Sequence, residues 1–144
     1  MRFGRIGLLA LLALATAVVL AGCGASQQKI LADAVYAKNV PVFKGATFDE
    51  VMGDESWGDD PESYTKGKTW WFKTKASKAE MLSYYEKLYP NAEKTELDSG
   101  GVQLRFVPDG ALKFEDVTIV LKDGELRIGE TLRPATINKH HPSS

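Results

Sequence analysis

Few side chains in this 144-residue chain are of a type and spacing that could do covalent chemistry. Cys23 is the only thiol, and His140 and His141 are the only imidazoles. A nucleophilic Ser or Cys needs a base within hydrogen-bond reach. The two histidines lie in a polar tail, a poor place for a rigid base or metal ligand, so neither Ser–His nor Cys–His catalysis is expected. No Gly-rich phosphate loop occurs either. The chain reads as a non-enzyme with no cofactor and no metal site. The residues Asp49, Glu50, Asp54, Glu55, Asp59, Asp60 and Glu62 form an acidic run with no base among them. Carboxylates are the hard oxygen ligands Ca²⁺ takes, but this spacing matches no EF-hand loop. A solvated acidic loop is the simpler expectation. Lys66 to Lys78 follows with five lysines and no acid. The two runs either pair with each other or leave the basic run near anionic lipid.

The candidate binding residues are aromatic. Trp70 and Trp71 are adjacent in Thr69–Lys75, a run of strand composition. Adjacent strand residues face opposite sides of a sheet. Trp70, in step with Phe72, is therefore expected in the core, and Trp71, in step with Lys73 and Lys75, on the outer face. There Trp71 either lies under an Arg or Lys stem as a cation–π contact or anchors a partner, as exposed Trp does at interfaces. Tyr84 and Tyr85 are further candidates. With Trp70 they would line a pocket between helix and sheet if the chain bound a small ligand.

Cys23 stands where a long apolar run ends. The chain opens with Arg2 and Arg5 and no acid, then Ile6 to Leu20 is apolar almost without a break, and Gly22, Gly24 and Ser26 follow. A basic start, an apolar stretch and small residues make a secretory signal peptide. Ile6 to Ala25 is also just long enough to span a bilayer, but no Lys or Arg cluster follows as a stop signal. A lone Cys in an exported chain forms no internal disulfide and calls for another use.

The stretch Leu20, Ala21, Gly22, Cys23 resembles the lipobox of bacterial lipoproteins. The resemblance covers residues 1–26. It implies that the Cys23 thiol receives a diacylglycerol, that signal peptidase II cuts before it, and that Cys23 becomes the acylated N-terminus. Two or three acyl chains anchor stably where one does not. Residue 24 is Gly rather than the Asp that retains such proteins at the inner membrane of enteric Gram-negative bacteria. The expected location is thus the cell membrane or outer membrane, facing away from the cytoplasm. A second, looser resemblance lies in Val40–Ala46, VPVFKGA. It is similar to the P-x-[YF]-P-G-A pattern of small α+β lipoproteins of unknown role, with Lys44 where Pro is usual. Those proteins follow it with strands, a helix bearing an F/Y-Y pair, and more strands.

These residues divide the chain into a signal peptide over 1–22, a lipidated tether with a short helix over 23–39, a domain over 40–133 and a flexible tail over 134–144. From Cys23 onward, 16 basic residues stand against 19 acidic ones, since Arg2 and Arg5 belong to the leader. That balance argues against nucleic-acid binding. Ile30, Leu31, Ala34, Val35 and Ala37 recur at helical spacing, predicting a helix over Gln28–Lys38. A first strand is expected over Thr47–Met52, a loop or hairpin tip over Gly53–Lys68, and a second strand over Thr69–Lys75. Ser77 and Glu80 match a capping box. Met81, Leu82, Tyr85, Leu88 and Tyr89 form one stripe of the helix that follows, which Pro90 and Asn91 stop. Val102, Leu104 and Phe106, then Val117, Ile119 and Leu121, alternate with polar residues, and Asp123-Gly124 predicts a tight hairpin to Leu126 and Ile128. The expected fold is α+β: a single antiparallel sheet with one main helix on one face, preceded by a short N-terminal helix. The expected role is a non-catalytic interaction or envelope-accessory module, held to membrane lipid through Cys23 and meeting an envelope protein partner. A small-ligand-binding lipoprotein is the alternative.

Overall fold

A computed structural model describes residues 26–56 and 64–140. The leader, Cys23, the acids Asp59, Asp60 and Glu62, and His141 lie outside them. The architecture is α+β. A six-stranded antiparallel sheet has the order β1-β2-β6-β5-β4-β3. Its strands are β1 (Thr47–Ser56), β2 (Thr65–Lys73), β3 (Glu93–Glu96), β4 (Val102–Phe106), β5 (Asp116–Lys122) and β6 (Glu125–Leu132), with helices α1 (Lys78–Leu88) and α2 (Pro134–His140).

The hairpin β5–β6 forms through Asp123 and Gly124, with Lys122 opposite Glu125 and Gly124 at φ +80°. This turn also holds the start of α1: Asp123 Oδ1 accepts the Lys78 N–H at 2.7 Å. The capping box is complete, with Ser77 Oγ accepting the Glu80 N–H and Glu80 accepting the Ser77 N–H. Two acceptors therefore meet amides that the first helical turn leaves unpaired.

One face of the sheet is apolar by strict alternation. Trp70 and Phe72, Leu104, Val117, Ile119 and Leu121, and Leu126 and Ile128 are buried in a single cluster. Met81 and Tyr85 of α1 join it, and so do Leu31, Ala34, Ala37, Val40, Val42 and Ala46 of the N-terminal segment. That segment contributes much of the cover, a share which the apolar stripe of α1 did not foretell. Leu88 of the stripe is instead exposed.

Four elements differ from their expected form. Residues 26–28 are helical, but beyond them the helix expected over Gln28–Lys38 gives way to two 3₁₀ turns, Lys29–Leu31 and Ala37–Asn39. The reason is Glu130, whose carboxylate takes the Val35, Tyr36 and Ala37 amides away from any helical ladder. Strand β1 runs on to Ser56 and β2 begins at Thr65, so both ends of the expected hairpin tip over Gly53–Lys68 are strand. Within it Glu55 lies opposite Lys66 and pairs with it at 3.6 Å, and further along the same two strands Asp49 pairs with Lys73 at 2.8 Å. β3 was not expected, because its residues Glu93–Glu96 are all exposed and carry no apolar alternation; it exists through pairing with β4. In place of a loose tail, residues 134–140 form α2, with Pro134 at its first position, where a fixed φ and a missing N–H cost nothing. Thr136 of this helix is buried.

Candidate functional site

The second face of the sheet is partly exposed. The register places Glu50, Trp71, Arg127, Val120 and Gln103 in one cross-strand row. Met52, Thr69, Gly129, Thr118 and Arg105 form the next. Trp71 is half-buried, and the Arg127 guanidinium carbon lies 3.6 Å from its ring centroid. Arg127 is itself fixed by Glu125, whose Oε1 lies 2.6 Å from the guanidinium. This is a cation–π stack held by an ion pair, which presents a flat aromatic–guanidinium edge.

Beside the stack lies a shallow depression of about 330 Å³, whose lining includes Met52, Thr69, Trp71, Gln103, Thr118 and Arg127. Gly129 lies between Thr69 and Thr118 in the cross-strand register. A Cβ there would come within 2.9 Å of Thr118 Oγ1 and 3.0 Å of Thr69 Oγ1, so a side chain would crowd both hydroxyls. The depression combines an aromatic wall, hydroxyl and amide hydrogen-bonding groups, the Arg127 cation and the Asp54 carboxylate. Among the described residues no group of three His, Cys, Asp or Glu side chains is placed to hold a metal ion.

Tyr84 and Tyr85 are not part of this face. Tyr85 is buried in the cluster with Trp70 and Phe72, on the opposite side of the sheet from Trp71. Its hydroxyl donates to the Pro41 carbonyl at 2.8 Å, and burial pushes that hydroxyl far above the usual phenol range. Tyr85 is thus a core residue rather than the accessible wall of a helix–sheet pocket. Tyr84 is part-exposed and packs edge-on against Phe43 and Tyr85, with ring centroids 5.3 and 5.0 Å away.

Two buried glutamates escaped notice in the sequence. Glu130 accepts the three amides of residues 35–37. Glu115 is fully buried and accepts from the Leu112 and Arg133 amides at 2.7 and 2.9 Å and from the Tyr36 hydroxyl at 2.9 Å. Glu130 was detectable, since its position continues the inward parity of Leu126 and Ile128, and an acid on an apolar face needs partners. Together the pair fastens residues 35–37 to β6 and the loop before β5.

Burial alone would raise the Glu115 carboxyl, but hydrogen bonds from Thr136, the Arg133 and Leu112 amides and Tyr36 outweigh it and hold the group below its ordinary value. A folded-state pKa below the unfolded one contributes stability at higher pH, and that stability is lost as pH falls through the folded value. The denaturation midpoint should therefore drop from about pH 5 downward. Glu115→Gln should show a shallower drop over the same range. Equal slopes in the two proteins would mean that Glu115 does not contribute to acid sensitivity.

Comparison with family models, with curated proteins and with solved structures yields no match to this chain.

Proposed function

We propose that this chain is an exported bacterial lipoprotein, anchored in the cell membrane or outer membrane through a diacylglycerol on Cys23, and that its domain is a non-catalytic interaction module for an envelope protein partner. The lipobox-like Leu20–Cys23 supports the anchor. The observation that carries the interaction role is the half-buried Trp71–Arg127 stack beside the depression lined by Thr69, Gln103 and Thr118, on the sheet face opposite the buried cluster. The architecture that accompanies this reading has α1 as the main helix over the core face, leaving the Trp71 face to the partner. Aromatic and arginine side chains in a partly desolvated site are the usual anchors of protein interfaces. Membrane attachment raises local concentration, so a weak contact suffices.

The test is in-cell photo-crosslinking with a photoreactive amino acid at position 71, compared with the same probe at exposed position 87 on α1. A single dominant protein adduct from position 71, missing from position 87, is the expected result. A folded protein at normal abundance that gives no adduct from position 71 would make the stack a structural contact.

A further inference from the structure

Resting on the lipid-anchor reading, we propose that the pole of the domain where Gln27 and Gln28 are fastened is a docking surface for anionic phospholipid, with Lys44, Lys73 and Lys75 as its cationic contacts. The exit of the chain is pinned by side-chain bonds. Gln27 Oε1 accepts the Phe48 N–H at 2.7 Å, Gln28 Oε1 accepts the Val42 N–H at 2.8 Å, and Gln28 Nε2 donates to the Val40 carbonyl at 2.9 Å. Cys23 is four residues before Gln27, a reach of at most about 14 Å when fully extended. An acylated Cys23 therefore keeps the bilayer surface close to the start of β1.

At that same place a depression of about 430 Å³ is lined by Lys44, Thr47, Lys73 and Lys75, Thr47 being the neighbour of Phe48. All three lysines are exposed. Lys73 is shared with Asp49 at 2.8 Å, whereas Lys44 and Lys75 form no salt bridge among the described residues. The opposite pole is far away: Lys73 lies opposite Glu125, and Glu130, five residues on, lies opposite Val117 and hence next to the Phe106 end of β4. Five residues of strand span about 17 Å. With the lysine pole down, the strands stand on the membrane and the Trp71 face looks sideways along it. Each lysine close to an anionic leaflet strengthens its attraction roughly fivefold, and the acyl anchor makes the contact intramolecular.

The experiment uses the full chain purified from membranes and reconstituted in vesicles of phosphatidylglycerol with phosphatidylcholine, or of phosphatidylcholine alone. Lysines are acylated with an amine-reactive reagent and read by peptide mass spectrometry. Lys44, Lys73 and Lys75 should be protected in the anionic vesicles only, and protection should fade in about 1 M salt. Lys113, in the loop before β5, should label equally in both. The Lys44→Gln, Lys75→Gln double variant should lower the bound-to-free ratio of this pole roughly 25-fold. Equal labelling in the two vesicle types, or protection without anionic lipid, would overturn the proposal. The intact mass of the same preparation tests the anchor separately. A chain beginning at Cys23 with added diacylglycerol supports that reading, and an uncleaved chain sinks it whatever the labelling shows.

Discussion

Glu130→Ala should unfold at a far lower denaturant concentration than the wild type, with a loss of about 3–5 kcal/mol. The side chain is only 5% exposed, and its carboxylate accepts three amides, from Val35, Tyr36 and Ala37, at 3.1, 2.8 and 3.0 Å. Hydrogen bonds to a charged acceptor contribute about 1.5–3 kcal/mol each, and a buried donor left unpaired costs about 1–3 kcal/mol. Water entering the gap would recover part of that. The loss is a large fraction of the 5–15 kcal/mol typical of a whole domain. Structurally, it would free the bend that brings Ala34, Ala37 and Val40 onto the core. Glu130→Gln keeps one acceptor oxygen but turns an NH₂ group toward an amide N–H, so about half the loss is expected. Urea unfolding followed by tryptophan fluorescence reads both variants. With an m-value of 1–3 kcal/mol per molar, the Ala variant's midpoint should move by about 2 M. A midpoint within error of the wild type would show that these amides find other partners at no cost.

Cys23→Ala should abolish stable membrane attachment on the proposed lipoprotein reading. The effect is close to all-or-none, because each buried CH₂ contributes about 0.8 kcal/mol and two or three acyl chains together hold a protein that one chain would release. The variant lacks the thiol that receives the lipid. Fractionation and intact mass read the outcome. A wild type that sits in the membrane fraction at the mass of a lipidated chain from Cys23, with a variant lost from that fraction, supports the reading. A variant that stays membrane-bound at its full uncleaved mass would mean that Ile6–Ala25 is a transmembrane anchor instead.

What the sequence determined by itself was local. The capping box of Ser77 and Glu80, the Asp123-Gly124 turn and the opposite facing of Trp70 and Trp71 each depend on residues within three or four positions of one another. Their geometry follows from backbone sterics and nearby hydrogen bonds, so it is legible without a fold. The alternation in β4, β5 and β6 was legible for the same reason. What only the tertiary structure decided depends on partners far along the chain. Residues 28–38 carry a helical pattern, yet an acid 95 positions after Val35 claims their amides. The segment Glu93–Glu96 becomes a strand solely by lying beside β4. Tyr85 looked available for a ligand because its helix stripe does not say how deeply the stripe is covered; residues 31–46 share its core. The Trp71–Arg127 stack and the grouping of Lys44 with Lys73 and Lys75 likewise join separate segments. Local preference is weak beside long-range pairing and burial, so the capped helix and the alternating strands follow from sequence, but β3, the turns over 29–39 and the surfaces where distant segments meet do not.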